Sequence, residues 1–155
     1  MKLNFSLGLL LMGFFMISCD AGPASNSDAY QKLDNNSKIR FNQYMLEGQN
    51  LYTIHCSNCH QKDGSGLGKL IPPLAGADYL KNNLANSVCG IKNGLKGEIV
   101  VNGITYNQPM PANPTLKNLD IAQIITYVGN TWGNEIGLIE TEKIVEILEN
   151  CEGQN

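Results

Sequence analysis

The chain has 155 residues, a formal net charge of −3 and 16% charged residues, which fits one domain preceded by a short leader. This balance argues against nucleic acid as a partner, because phosphate binding requires a concentrated basic surface. Glutamates collect between residues 135 and 152, whereas Lys62, Lys69, Lys92 and Lys96 lie in the middle of the chain. Solvated faces are the default interpretation of both groups.

Residues 1–18 are predicted to be an export signal. Lys2 supplies a positive end, and the apolar run of residues 7–17 is too short to span a bilayer comfortably. The sequence that ends at Ser18-Cys19 resembles a bacterial lipoprotein signal, in which the cysteine is lipidated and becomes the first mature residue. Met16 departs from the more usual leucine, and an ordinary secretory signal is the alternative. Either way we expect an exported product, and a lipidated Cys19 would anchor it at the periplasmic face of a membrane.

Residues 19–36 are rich in Asp, Asn, Ser and Ala without a sustained apolar period, so we predict a flexible tether. The domain is predicted to cover residues 37–155 and to begin with a helix that runs into Cys56. Apolar residues recur along this helix at spacings near three and four: Phe41, Met45, Leu46, Leu51, Tyr52 and Ile54. Gly48 interrupts the helix, which indicates the close approach of another element.

Cys56-Ser57-Asn58-Cys59-His60 is the most specific motif in the chain. Two cysteines at this spacing, followed directly by histidine, are typical of covalent haem attachment, in which the histidine ligates the iron. A thioredoxin-type redox pair would need a preceding strand, and a structural zinc site would need more ligands nearby. A plain disulfide would leave His60 unexplained. We therefore predict one covalently bound haem c.

Ile71-Pro72-Pro73-Leu74 follows a glycine-rich loop, and its two prolines favour an extended backbone without donors. A carbonyl of Pro72 or Pro73 could accept a hydrogen bond from the free ring nitrogen of His60 and so fix its tautomer. A merely rigid turn is the alternative. A second helix is predicted over residues 78–93.

Residues that favour strands flank Asn102-Gly103, which predicts a small hairpin. The hairpin leads into Met110, held between two prolines. The mature chain has one other methionine, Met45, on the helix that ends at the haem motif, and Met45 is predicted to belong to the core. Met110 is therefore predicted to be the second iron ligand, although a methionine that merely packs in its loop remains the alternative.

A third helix is predicted to begin with Asn118 as its cap, and a fourth to cover residues 141–150. The cysteine count leaves Cys89 and Cys151 unassigned, and in an oxidising compartment we predict a disulfide between them. Two buried free thiols are the alternative.

The ordered motifs over residues 40–150 resemble the class I cytochrome c family. They follow in the family's order: Gly48, Tyr52, the haem motif, Gly66, residues 71–74, Asn102-Gly103, Tyr106, Pro109-Met110-Pro111 and Trp132-Gly133-Asn134. The lipidated tether and the extra cysteine pair depart from many members.

The resemblance implies an all-α fold of about four helices around one covalent haem c, with the small hairpin before the distal methionine loop. It implies that His60 is the proximal ligand and Met110 the distal one, that Pro72 or Pro73 holds His60, and that the first and last core helices cross near Gly48.

The resemblance also implies a monomeric electron carrier rather than an enzyme, working between redox proteins such as a respiratory complex, terminal oxidase, reductase or dehydrogenase. No general acid or base constellation lies near the haem motif, which argues against substrate chemistry. The middle lysines could steer an acidic redox partner. Two alternatives stay open: a fixed relay subunit of a larger oxidoreductase, and a haem enzyme or gas-binding protein with an open iron site.

Overall fold

A computed structural model describes residues 27–151, so the predicted signal of residues 1–18 and Cys19 lie outside the described residues. This part is mainly helical, with one two-stranded antiparallel ribbon, as predicted. The elements are α1 (Asp28–Gln31), α2 (Asn35–His55), α3 (Ser57–His60), α4 (Asp78–Asn82), α5 (Leu84–Asn93), β1 (Ile99–Val101), β2 (Ile104–Tyr106), α6 (Asn118–Val128) and α7 (Thr141–Glu149). Over residues 27–151, no helix has both the length and the apolar character to cross a bilayer.

Helices α2 and α6 cross at Gly48 and form the centre of the fold. A Cβ atom on Gly48 would overlap the main-chain carbonyl of Gln123 and the Cβ of Tyr127. The prediction that Gly48 marks a close approach is confirmed, because only a residue without a side chain lets the two backbones come this near. Helix α6 is buried along most of its length.

The buried face of α2 is narrower than the sequence pattern predicted. Phe41, Tyr44, Gly48 and Tyr52 are buried, whereas Leu46 and Ile54, predicted as part of the same apolar stripe, are 61% and 67% exposed. Leu46 and Ile54 lie two residues from the buried positions, which places them on the far side of a helix with 3.6 residues per turn. The prediction for these two residues was wrong.

The second predicted helix is broken into two. Asn83 leaves the helical conformation, with φ −132° and ψ 47°, and separates α4 from α5. Its carbonyl accepts hydrogen bonds from the main-chain N–H and the hydroxyl of Ser87. The break follows from the tendency of asparagine to favour turns over helix interiors.

The predicted hairpin is present, with Ile99 paired to Tyr106 and Val101 to Ile104. Its turn places both Asn102 (φ 51°) and Gly103 in the left-handed region, as two-residue hairpin turns of this sequence require. Asn102 also exchanges two hydrogen bonds with Asp78, through its main-chain N–H (2.7 Å) and its side-chain oxygen (3.1 Å). The ribbon is thereby fixed to the start of α4.

Helix α6 starts one residue earlier than predicted. The cap is Lys117, whose main-chain N–H donates to the Asp120 carboxylate over 2.8 Å, and Asn118 is the first helical residue. The acidic side chain in the first turn therefore satisfies the helix terminus without an asparagine cap.

The structure differs from the predicted tether over residues 27–36, where it contains α1 and the start of α2. The ring of Tyr30 packs edge-on against Phe41, with centroids 5.3 Å apart. The main-chain N–H of Ala29 donates to Glu135 over 3.2 Å. Composition suggested a tether because the two large apolar residues in this segment, Tyr30 and Leu33, give no sustained periodic signal.

The end of the chain packs beside α5 and α6. Ile144 and Ile147 of α7 are buried, and the hydroxyl groups of Tyr44 and Thr141 lie 3.0 Å apart. Cys89 in α5 and Cys151 after α7 form a disulfide, with Cα atoms 5.7 Å apart. The predicted pairing is therefore present, and it attaches the last helix to the wall formed by α5.

We predict that Gly48→Ala destabilises the protein. Overpacking against a main-chain carbonyl should cost about 1–3 kcal/mol, which exceeds the gain of about 1 kcal/mol that alanine brings to a helix. Urea unfolding measures the loss. The control is Asn50→Ala on the exposed face of α2, which should be neutral or slightly stabilising. Equal stability of both variants would contradict the close crossing.

We predict that Cys89→Ser/Cys151→Ser lowers the free energy of unfolding by about 4 kcal/mol, since the bridge closes a loop of about sixty residues. Reductant should lower the stability of the unaltered protein and leave the double variant unchanged. A protein equally stable with and without reductant would show that the bridge contributes nothing.

Candidate functional site

The predicted site residues line one cavity of about 280 Å³. Cys56, Cys59 and His60 lie on the wall formed by α3, and Met110 lies on the wall formed by the loop after β2. Apolar side chains from the rest of the domain complete much of the lining, including Leu70, Ile71, Leu74, Leu80, Ile91, Leu95, Ile99, Val101, Ile124, Ile125 and Val128. The sequence separation of these residues explains why no local pattern could outline the cavity.

The haem motif forms a tight turn at the end of α2. The main-chain N–H groups of Cys59 and His60 both donate to the carbonyl of Cys56, over 3.1 and 3.0 Å. This turn brings two thiols and an imidazole to the same cavity wall. Cys56 is half-buried, Cys59 is exposed, and neither is in a disulfide.

The thioredoxin alternative is disfavoured by the environment of Cys56. Burial raises the pKa of Cys56 to about 11, whereas redox-active cysteines have a lowered pKa that favours the thiolate. The zinc alternative also lacks support, because residues 27–151 contain no cluster of three or more His, Cys, Asp or Glu side chains that could hold a metal ion.

His60 is buried, and its Nδ1 lies 3.1 Å from the carbonyl oxygen of Pro72. Burial lowers the pKa of His60, and the hydrogen bond to Pro72 opposes this shift. The imidazole is therefore neutral, and protonation at Nδ1 leaves Nε2 available to ligate a metal. Of the two carbonyls predicted as partners, the structure selects Pro72; Pro73 lines the cavity.

The loop around Pro72 is held by main-chain contacts. The N–H groups of Leu74 and Ala75 donate to the carbonyl of Gly64. A Cβ atom on Gly66, at φ +69°, would overlap the carbonyls of Ile71 and Pro72. Glycine is required at this position both for the backbone angle and for the close packing that aims the Pro72 carbonyl at His60.

Met110 is presented by a loop that is fixed at its backbone. Its N–H and C=O exchange two hydrogen bonds with Leu95, each 2.9 Å, while Pro109 and Pro111 have no N–H to donate. A Cβ atom on Gly94 would lie 2.9 Å from the Met110 carbonyl. Met45, by contrast, packs against the core and is absent from the cavity lining.

Sequence reasoning did not predict the roles of three residues that shape the site. Gly94 admits the Met110 loop, and Asn93-Gly94 is a recognisable helix end that could have signalled it. The ammonium group of Lys92 donates to the carbonyls of Pro114 and Leu116, so this lysine anchors the loop after Met110 instead of forming a free rim charge. Asn134 donates to the carbonyl of Leu74, and no local sequence pattern predicts this contact.

The residues present fit a haem c. The cavity is lined mainly by apolar side chains, as a flat apolar group requires. The two thiols have the sequence spacing of a haem attachment motif, and a neutral imidazole and a thioether are suitable ligands for haem iron. The fold and this donor set define a protein that holds a covalent haem.

The comparisons agree with this class. The cytochrome c family model matches residues 45–132. Cytochrome c-552 of Thermus thermophilus is 33% identical over 92 residues, which cover 57% of this chain and 70% of that protein. The cytochrome c subunit of a quinone alcohol dehydrogenase from Gluconacetobacter polyoxogenes is 22% identical over 122 residues, 73% of this chain but 24% of that subunit. The corresponding subunit from Gluconobacter oxydans is 27% identical over 95 residues, 56% of this chain and 18% of that subunit.

The chain belongs to the cytochrome c family. Membership implies a covalently bound haem c and a role as an electron carrier. The matched segment contains the haem motif, the ribbon and Met110, and it ends at Trp132.

Proposed function

We propose that this protein is a membrane-tethered carrier of single electrons, with one haem c attached at Cys56 and Cys59 and with His60 and Met110 as axial ligands. The observation that carries the proposal is that all four residues line one cavity, although the first and the last are 54 positions apart in the sequence. The haem, when bound, supplies an iron that alternates between the ferrous and ferric states.

Each residue has a distinct role. Pro72 holds the neutral ring of His60 with Nε2 free.

 Leu95 acts on the opposite side of the site, where its two main-chain hydrogen bonds fix the position of Met110. The apolar lining excludes water, and a histidine–methionine pair favours the ferrous state relative to two nitrogen ligands. If His60 and Met110 both ligate the iron, no open position would remain for a gas or a substrate, which favours a carrier over a gas-binding protein or haem enzyme.

The cavity has an exposed rim at which a redox partner could exchange electrons. Cys59, Leu70, Pro109 and Pro111 line the cavity and are themselves exposed. Lys69 adjoins Leu70 in the sequence and is also exposed, which supports an acidic surface on the partner. We therefore propose outer-sphere transfer to and from respiratory redox proteins.

A fixed relay subunit of a larger oxidoreductase is the second candidate. The similarity to cytochrome c subunits of quinone alcohol dehydrogenases favours it, but the chain spans only about a quarter or less of those subunits. Purification of a stable complex with a dehydrogenase after gentle detergent extraction would support this candidate over a free carrier.

The described N-terminal end of the domain lies far from the haem motif. Tyr30 packs on Phe41, and Cys56 lies roughly 22 Å further along α2 at 1.5 Å per residue. No residue in the range 27–55 lines the cavity. If Cys19 carries lipid, the attachment therefore enters the domain at the end of α2 away from the cavity, which would leave the rim free for a redox partner.

We predict that Met110→Ala opens one iron position. The reduced variant should bind carbon monoxide rapidly at neutral pH, because no thioether competes for the metal, whereas the unaltered protein should bind it slowly. Absorption spectroscopy measures both. Met45→Ala is the matched control and should keep the spectrum of the unaltered protein. An unchanged spectrum in Met110→Ala would refute the ligand assignment.

We predict that Cys19→Ser abolishes membrane attachment. The unaltered protein should sediment with membranes and carry a lipid mass on its mature N-terminus, whereas the variant should be recovered in the soluble fraction with its haem intact. Ser25→Ala is the control and should remain attached. Equal membrane recovery of Cys19→Ser and the control would remove the anchor from the proposal.

A further inference from the structure

The turn of residues 131–134 packs directly on the loop that carries Pro72. Trp132 (φ +52°) and Gly133 (φ +86°) are consecutive residues in the left-handed region. A non-glycine residue in this region costs on the order of 1 kcal/mol or more and persists only where its surroundings require it. The Trp132 ring covers Gly64, where a Cβ atom would overlap it, and lies 5.1 Å from the ring of Tyr52.

The same turn places the side chain of Asn134 between the loop and helix α6. Its Nδ2 donates to the carbonyl of Leu74 over 2.7 Å and to the carbonyl of Val128, at the end of α6, over 2.9 Å. One amide group therefore joins the central helix to the loop of residues 61–75. The family match ends at Trp132, so Asn134 lies outside the matched segment.

Leu74 helps to fix the position of Pro72 and Pro73, which cannot donate main-chain hydrogen bonds of their own. Pro72 and Pro73 have no N–H group, so the position of the Pro72 carbonyl depends on the bonds at either side. Ile71 exchanges main-chain bonds with Leu67 on one side. Leu74 bonds to Gly64 and to Asn134 on the other.

We propose that Asn134 is a positioning residue for His60. Its amide fixes Leu74, which fixes the Pro72 carbonyl, which in turn orients the His60 ring and raises its basicity. The inference rests on the proposed role of His60 as an iron ligand. Loss of these contacts should weaken the hydrogen bond at Nδ1. The imidazole would then donate less electron density to the iron, and the ferric state would be less stabilised.

The test uses the haem-loaded protein and two readouts besides electron-transfer activity: solvent exchange of the His60 Nδ1 proton, followed by NMR in the ferrous state, and the reduction potential. Asn134→Ala should exchange this proton about three- to tenfold faster, as expected for the loss of one hydrogen bond, and should shift the potential upward. Asn130→Ala is the matched control. The Asn130 amide also donates to two carbonyls, those of Thr126 and Gly137, but neither belongs to the loop of Pro72.

The control should lose stability without changing either readout. If Asn134→Ala likewise loses stability but keeps the exchange rate and potential of the unaltered protein, Asn134 is only structural and the proposal is overturned. Should Asn134→Ala not fold, Asn134→Asp keeps the side-chain shape while removing the donor, and the same outcomes apply. Failure of the ligand assignment is distinguishable, because the unaltered protein would then give no haem-shifted His60 ring signal.

Discussion

The crossing of α2 and α6 at Gly48 is the constraint on which the other elements depend. It places the end of α2, and with it the haem motif, beside the same helix whose Ile124, Ile125 and Val128 line the cavity. A side chain at Gly48 would separate the two backbones and so move the attachment wall away from the apolar wall. The absence of a Cβ atom at Gly48 therefore sets both the distance between the two helices and the relative position of the two cavity walls.

The segments outside the matched residues 45–132 form a second layer of structure away from the site. Tyr44 meets Thr141, Ala29 meets Glu135, and Cys151 is bonded to Cys89. None of the residues 27–55 or 129–151 lines the cavity. These segments therefore pack against α2 and α5 on the side away from the cavity. They can alter stability and the direction of the N-terminal chain without altering the set of iron ligands.

The residues of the candidate site could be predicted from the sequence because they stand in a contiguous motif or belong to a rare residue type. Cys56 to His60 is a contiguous motif, and Met110 is one of two methionines that follow the predicted signal. The wall-forming contacts were not predictable, because Gly94, Lys92 and Asn134 act on main-chain carbonyls distant in sequence. Periodicity likewise overestimated the buried face of α2, since Leu46 and Ile54 satisfy an apolar spacing but face away from α6.

The two proposed ligands are held by independent means, which explains why the site suits electron storage better than substrate chemistry. His60 is oriented by the Pro72 carbonyl, whose loop is fastened by Gly64 and Asn134. Met110 is fixed through both of its main-chain groups. Neither side chain depends on the other to stay in place, so a change of charge between them requires little rearrangement of the protein. A preorganised environment of this kind lowers the cost of gaining or losing an electron, whereas a substrate site would need one of these positions to open.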